Sequence, residues 1–264
     1  MKRNSQALFL PHSPLVFTLG VVHFDPILAV ANYIPEIQES LRMNGFPKVR
    51  ERFITHRIVQ TEGSELRAEL KKQWEFHDAA NQTSIMVDQD AVMVQTTAYS
   101  TYERFREILE LALKCVADRL GVSEVLRCGL RYIDIVNPPE DAAITDWVHT
   151  GLLGLPALDG FQRKRSHSST ELGGGDGSTI RIRASFVPQG IVLPPDLLPC
   201  DLAFGSPPLR ETPFALLDFD HFSLLSFPYG LEATLKHLST LHDGLDRAFR
   251  SSVTSNALEQ WQQP

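Results

Sequence analysis

The stretch QWEFHDAANQTSIMVDQDAVMVQTTA, residues 73–98, decides the fold class. It reads as three short strands in succession. The first, around Trp74-Glu75-Phe76-His77, alternates apolar and polar side chains, as a strand with two unlike faces requires. The next two, around Ile85 to Val87 and Val92 to Thr97, flank Asp88-Gln89-Asp90, whose aspartates favour a turn. Consecutive strands with no helix between them describe an antiparallel sheet.

Helices and further strands extend this block in both directions. Upstream, Leu15 to Phe24 is an apolar run opened by Pro14 and ended by Asp25-Pro26, which reads as a buried strand. A helix follows from about Asn32, with Ile34, Ile37 and Leu41 at helical spacing, Pro35 in its first turn and Gly45 past its end. Phe53 to Thr61 reads as a second strand. Downstream, Ser100-Thr101-Tyr102-Glu103 has the form of a capping box. Phe105, Ile108, Leu109, Ala112, Val116 and Leu120 then repeat at helical spacing up to Gly121. Val125 to Val136 is a long strand ended by Asn137-Pro138-Pro139.

This order predicts an α+β fold: antiparallel sheets with helices packed on one face, in two related sheet-and-helix units. A soft boundary near Pro138-Pro139 separates an N-terminal unit, 1–138, from a C-terminal unit, 139–264, and the two can share one core. In the second unit, Trp147 to Leu155 reads as a short helix or ordered loop. Phe161 to Glu171 and Thr179 to Val187 read as a hairpin joined across Leu172 to Ser178. Residues 188–213 hold Pro188, Pro194, Pro195, Pro199, Pro207, Pro208 and Pro213, a long irregular crossing. A strand from Phe214 to Phe227 follows. The next helix, from about Leu231, carries Leu235, Leu238, Leu241, Leu245 and Phe249 on one stripe, and a short last helix holds Leu258 and Trp261. The echo of the first half involves no residue-level repeat.

Composition bounds the function classes. At 264 residues, 43% hydrophobic and 22% charged, the chain can build a large core without a metal or disulfide. A net charge of −7 argues against a nucleic-acid backbone or an anionic membrane as the main partner. Cys115, Cys128 and Cys200 are too few and too widely spaced for a disulfide framework or a zinc ribbon, and they fit a reducing compartment. Met1 to Pro11 lacks the apolar core and cleavage site of a signal peptide, and no run approaches the roughly 20 apolar residues that span a bilayer. The chain is read as cytoplasmic.

Several stretches invite a chemical reading. Gly173-Gly174-Gly175-Asp176-Gly177 lacks the lysine and the following helix of a phosphate loop, because Ser178 and Thr179 lead into an alternating strand; it is a turn. Leu217-Asp218-Phe219-Asp220-His221-Phe222 looks like a metal site. Strand alternation, however, places Asp218 and Asp220 on one face and His221 on the other, so the three converge only across a bulge. The two aspartates are the candidate metal ligands. In Cys128 to Ile135, Arg131 shares a face with Gly129 and Ile133, while Tyr132 and Asp134 share the opposite one. A pairing of Arg131 with Asp218 or Asp220 across neighbouring strands explains both strands as architecture. His23 alternates with Leu15, Phe17, Leu19 and Val21, which suits a core histidine. Arg163-Lys164-Arg165, within Gln162 to His167, is the one basic run, and the natural place for an anionic partner.

Four of these stretches together resemble a sporadically distributed bacterial family of uncharacterised function. They are Ser13-Pro14-Leu15-Val16, Arg127 to Asp134 (an R-x-GLRYI-[ND] strand), Leu217 to Phe222 (an LDxDhf-like strand) and the helix Leu238 to Phe249 before Ser252-Val253-Thr254. The resemblance covers nearly the whole chain and carries no catalytic residues with it. What it implies is a gene that moves between bacteria, as antitoxin, immunity and defence genes do.

The expected function is a non-enzymatic cytoplasmic protein that binds a protein partner, through a sheet face or the proline-rich crossing, with room for a homodimer and no cofactor. The first alternative is a metal-dependent phosphoesterase or nuclease. There Asp218 and Asp220 would hold the metal, Arg131 would stabilise the transferred group, and His221 or His23 would move the proton. The second is an RNA-binding module, weakened by the negative charge and the lack of RNP-type aromatics.

Overall fold

A computed structural model describes residues 10–58, 67–139, 141–155, 158–161, 163–205 and 209–263. The N-terminal half forms β1 (Leu15–Phe24), α1 (Val30–Met43), β2 (Lys48–Ile58), β3 (Arg67–His77), β4 (Thr83–Val87), β5 (Ala91–Thr96), α2 (Tyr102–Cys115), α3 (Ala117–Leu120) and β6 (Glu124–Val136). The rest forms β7 (Ser166–Gly173), β8 (Ser178–Val187), β9 (Gly190–Ile191), β10 (Leu209–Arg210), β11 (Phe214–Ser223), β12 (Phe227–Pro228), α4 (Leu231–Ser252) and α5 (Ser255–Gln262). Residues 59–61 of the expected second strand, Met1 to Phe9, Gln162, Pro207 and Pro208 lie outside the described residues.

All the strands but β9 and β10 build one antiparallel sheet in the order β2-β3-β4-β5-β1-β6-β11-β8-β7, with β12 pairing to the start of β6. The fold is thus α+β, as the strand block around residues 73–98 indicates. β6 lies between β1 and β11, so strands from both sides of Pro138-Pro139 share the sheet. They also share a core: Val22, Phe76, Val94, Leu130, Leu217 and Phe219 from the sheet pack with Ile37, Leu109, Leu113, Leu238 and Leu245 from the helices. Each such buried side chain contributes on the order of 1.5–3 kcal/mol. No described helix is long and apolar enough to cross a membrane.

The opposite sheet face is covered by the proline-rich crossing. Val192, Leu193 and Leu202 pack onto Phe17, Ile133, Ile135, Phe214 and Leu216. The crossing begins and ends in the β9–β10 ribbon and runs as far as the turn between β3 and β4, where Ala203 N–H donates to the Asn81 carbonyl (2.7 Å). Proline suits it, because a covering segment makes few ladder bonds and loses little by lacking N–H donors.

Several local details differ from the sequence pattern: the strand expected over 214–227 ends at Ser223, with β12 pairing separately to β6, and the first arm of the hairpin begins at Ser166 rather than Phe161. Thr101, not Ser100, caps α2, its Oγ1 accepting from Arg104 N–H at 3.3 Å. The helix also breaks at Val116, giving α3, which closes on left-handed Gly121 (φ 66°). The glycine run is the β7–β8 turn, with Gly174 N–H donating to the Ser178 carbonyl.

α4 crosses the sheet so closely that a Cβ on Gly244 would lie 2.4 Å from the His221 ring. That ring is pinned, with Nδ1 2.7 Å from the Leu241 carbonyl and Nε2 3.0 Å from Ser178 Oγ. Helix propensity favours alanine over glycine by about 1 kcal/mol, whereas overpacking a site that cannot relax costs about 1–3 kcal/mol. Gly244→Ala is therefore expected to lower the melting temperature; a rise would show that His221 is free to move.

Candidate functional site

β6 carries two sets of polar groups on opposite faces, and they have opposite fates. On the face beneath the crossing, Arg131 reaches diagonally across to β11. Its Nε donates to Asp218 Oδ1 at 2.8 Å and its Nη2 to Asp218 Oδ2 at 2.9 Å. The same guanidinium holds Asp196 of the crossing, Nη1 to Oδ2 at 2.5 Å and Nη2 to Oδ1 at 3.1 Å. Arg183 on β8 closes the set at 2.8 Å from Asp218 Oδ2. Burial opposes the charge of Arg131, but the Asp218 and Asp196 carboxylates hold it charged well above its ordinary range. Every nitrogen of Arg131 faces a carboxylate, and both oxygens of Asp218 face a guanidinium. Such a closed set holds strands and crossing together and offers little to a substrate or a metal ion.

Of the remaining sequence candidates, Asp220 lies beside this set, opposite Arg131 in the ladder, while His221 and His23 do not join it. Asp220 shares the face, as alternation requires, with Arg181 3.7 Å away, and burial raises its pKa against the pull of Arg131, Arg127 and Arg181. His221 points to the helix face, beneath α4. Burial lowers its pKa, against the Leu241 carbonyl, and both ring nitrogens have partners, so it sits as a core histidine. His23 sits opposite Arg127, four residues from Arg131 and roughly 13 Å along the strand. Burial, then the Arg127 charge, lowers its pKa. Among the described residues no group of three or more His, Cys, Asp or Glu is placed to hold a metal ion.

On the helix face, Tyr132 and Asp134 open into a cleft of about 430 Å³ between β6, the start of α2 and the middle of α4. Tyr132 Oη lies 2.9 Å from His242 Nδ1, and the His242 ring stacks on Tyr102 with centroids 3.9 Å apart. Tyr102 in turn donates to Ser239 Oγ at 3.2 Å. Tyr99 packs on Tyr132, centroids 5.7 Å apart. Burial lowers the His242 pKa although Asp243, Asp246 and Glu103 face it. Burial, with Tyr99 beside it, raises that of Tyr132. Asp134 is 4% exposed and has no hydrogen-bond or ionic partner among the described residues; burial alone pushes its carboxyl up to about 8. The polar alternation of β6 shows Tyr132 and Asp134 sharing a face, but nothing local announces that His242, 110 residues away, meets Tyr132.

A buried carboxyl raised from 3.8 to about 8 keeps a proton that the unfolded chain has released. Stability from this group therefore falls as pH rises towards 8 and levels off above it. Asp134→Asn, with nothing to ionise, is expected to gain about 1–3 kcal/mol on wild type between pH 6.5 and pH 8.5 in urea unfolding. An unchanged difference across that range would mean that Asp134 titrates normally.

No protein-family model matches the chain, and no curated protein matches it.

Proposed function

We propose that the chain is a non-enzymatic, cytoplasmic protein-binding protein of a mobile bacterial locus, acting as an antitoxin, immunity or defence accessory. What carries the reading is the outer edge of β7. β7 ends the sheet, and among the described residues no strand pairs with its far side. Its sequence, Ser166 to Gly173, has neither proline nor lysine, the devices that ordinarily block an edge from pairing.

Apolar side chains stand exposed at both ends of this edge. At its start are Leu155 (85% exposed), Leu158 (65%) and Phe161 (73%). Their segment is tied to β7 by Ser168 Oγ donating to the Leu152 carbonyl at 2.8 Å. Leu172, Leu224 and Leu225 are exposed at the other end, and Leu225 lies against the turn at Gly177. Scattered exposed leucines need no explanation, but grouped ones beside an open edge mark a protein interface. Arg163, Lys164 and Arg165 lie between Phe161 and β7, so the fitting partner is an extended, acidic segment of another protein that adds a strand to β7.

The phosphoesterase alternative has less support, because Arg131, its anion-stabilising group, is occupied by Asp218 and Asp196. The RNA-binding alternative gains nothing, because the sheet face it would use is covered by the crossing.

A photo-crosslinking residue at position 161, expressed in the native host, is expected to trap one defined polypeptide. The same residue at Glu36 on α1 should not trap it, and Leu155→Ser with Leu158→Ser should abolish the adduct while melting is unchanged. Equal adducts from both positions would contradict the interface, and an adduct with a second copy of the chain would replace the foreign partner with a homodimer.

A further inference from the structure

The cleft on the helix face makes a site of a different kind from the β7 edge. Four carboxyl groups line it, Asp134 at the base and Glu103, Asp243 and Asp246 nearer the mouth, and no lysine or arginine does. Asp246 is already paired with Arg250 at 2.8 Å, whereas Asp134, almost wholly buried, has no partner among the described residues. An unpartnered carboxyl aimed into a cleft is costly unless it stays protonated or something positive meets it. The walls are aromatic, from Tyr99, Tyr102 and Tyr132. Aromatic rings around a carboxylate are the surroundings that stabilise an organic ammonium group, by ion pairing and by cation–π attraction together. At about 430 Å³ the cleft is in the range that holds a small ligand.

We propose that this cleft binds a small organic cation, a protonated amine whose ammonium pairs with Asp134 while its carbon chain lies among the tyrosine rings. Anions are disfavoured by the carboxylates at the mouth, and a neutral chain of the same length lacks a group to meet Asp134. Binding couples to protonation. The free protein holds Asp134 protonated below about pH 8, so the cation must displace that proton to form the ion pair. The titratable groups that line the cleft with Asp134 are Tyr132 on its own strand, Tyr99 just before α2, Tyr102 and Glu103 at its start, and His242, Asp243 and Asp246 on α4. β1 and the segment before it contribute only Leu15, Leu10 and Ser13. Burial raises the tyrosines and lowers His242, whereas it brings Asp134 to about 8.

The test is calorimetric titration of the full chain with n-hexylamine, and with 1-hexanol as the uncharged probe of equal length. Hexylammonium is expected to bind and hexanol to bind at least about tenfold more weakly, since one lost ion pair in a buried site amounts to more than 1.4 kcal/mol. The hexylammonium dissociation constant should fall about tenfold from pH 6 to pH 7 and flatten above pH 8. Asp134→Asn should remove that slope and weaken binding at pH 8 at least about tenfold, while Asp243→Asn at the mouth keeps the slope. Should Asp134→Asn fail to fold, the wild-type slope and the hexanol comparison decide alone. Equal binding of amine and alcohol, a dissociation constant independent of pH, or no binding into the millimolar range would each overturn the proposal. None of these outcomes bears on the β7 interface.

Discussion

The fork between Arg131 and Asp218 is the constraint on which the arrangement of this protein turns. It spans the seam between β6 and β11, where the strands before and after residue 138 meet. Arg131 also holds Asp196, and Asp218 also holds Arg183, so one cluster ties together β6, β11, β8 and the crossing. A charge in this position has no neutral alternative. Removing one partner leaves a buried ion uncompensated, at a cost of about 3–5 kcal/mol. The cluster thereby selects the register of the two strands, since a slip by one residue would turn Asp218 towards the helices and leave Arg131 without its main partner.

The same pair of strands shows how differently two neighbouring carboxyl groups can be treated. Asp218 is met by arginines and lies in a closed network. Asp134, opposite Leu217 in the same ladder, faces the other way and is met by no cation among the described residues. The network has the geometry of architecture; the cleft around Asp134 has the geometry of a site. The third surface is the open edge of β7, beside which Leu155, Leu158 and Phe161 stand exposed.

Much of this was legible in the residues themselves. Alternation placed Asp218 and Asp220 together and His221 apart, because side chains of a regular strand have no freedom to do otherwise. Helical spacing located α2 and α4, and missing helix chemistry identified the glycine run as a turn. What escaped was non-local. Asp196 lies in a crossing without periodicity, 65 residues from Arg131, so its role as the second partner has no local signature. The meeting of Tyr132 with His242 depends on where α4 crosses the sheet, which the close approach at Gly244 determines. Thr101 and Ser100 are both competent caps, and the choice between them is set by where tertiary packing starts the helix.

The most direct test of the architectural role of the fork is a double-mutant cycle on folding stability with Arg131→Met and Asp218→Leu. Each single change should destabilise by about 3 kcal/mol or more. The double variant should lose clearly less than the sum, with a coupling of about 1–3 kcal/mol, because removing both charges leaves fewer of them unpaired. Singles near neutral, with additive effects in the double, would contradict the account and return both residues to the list of groups held in place for chemistry.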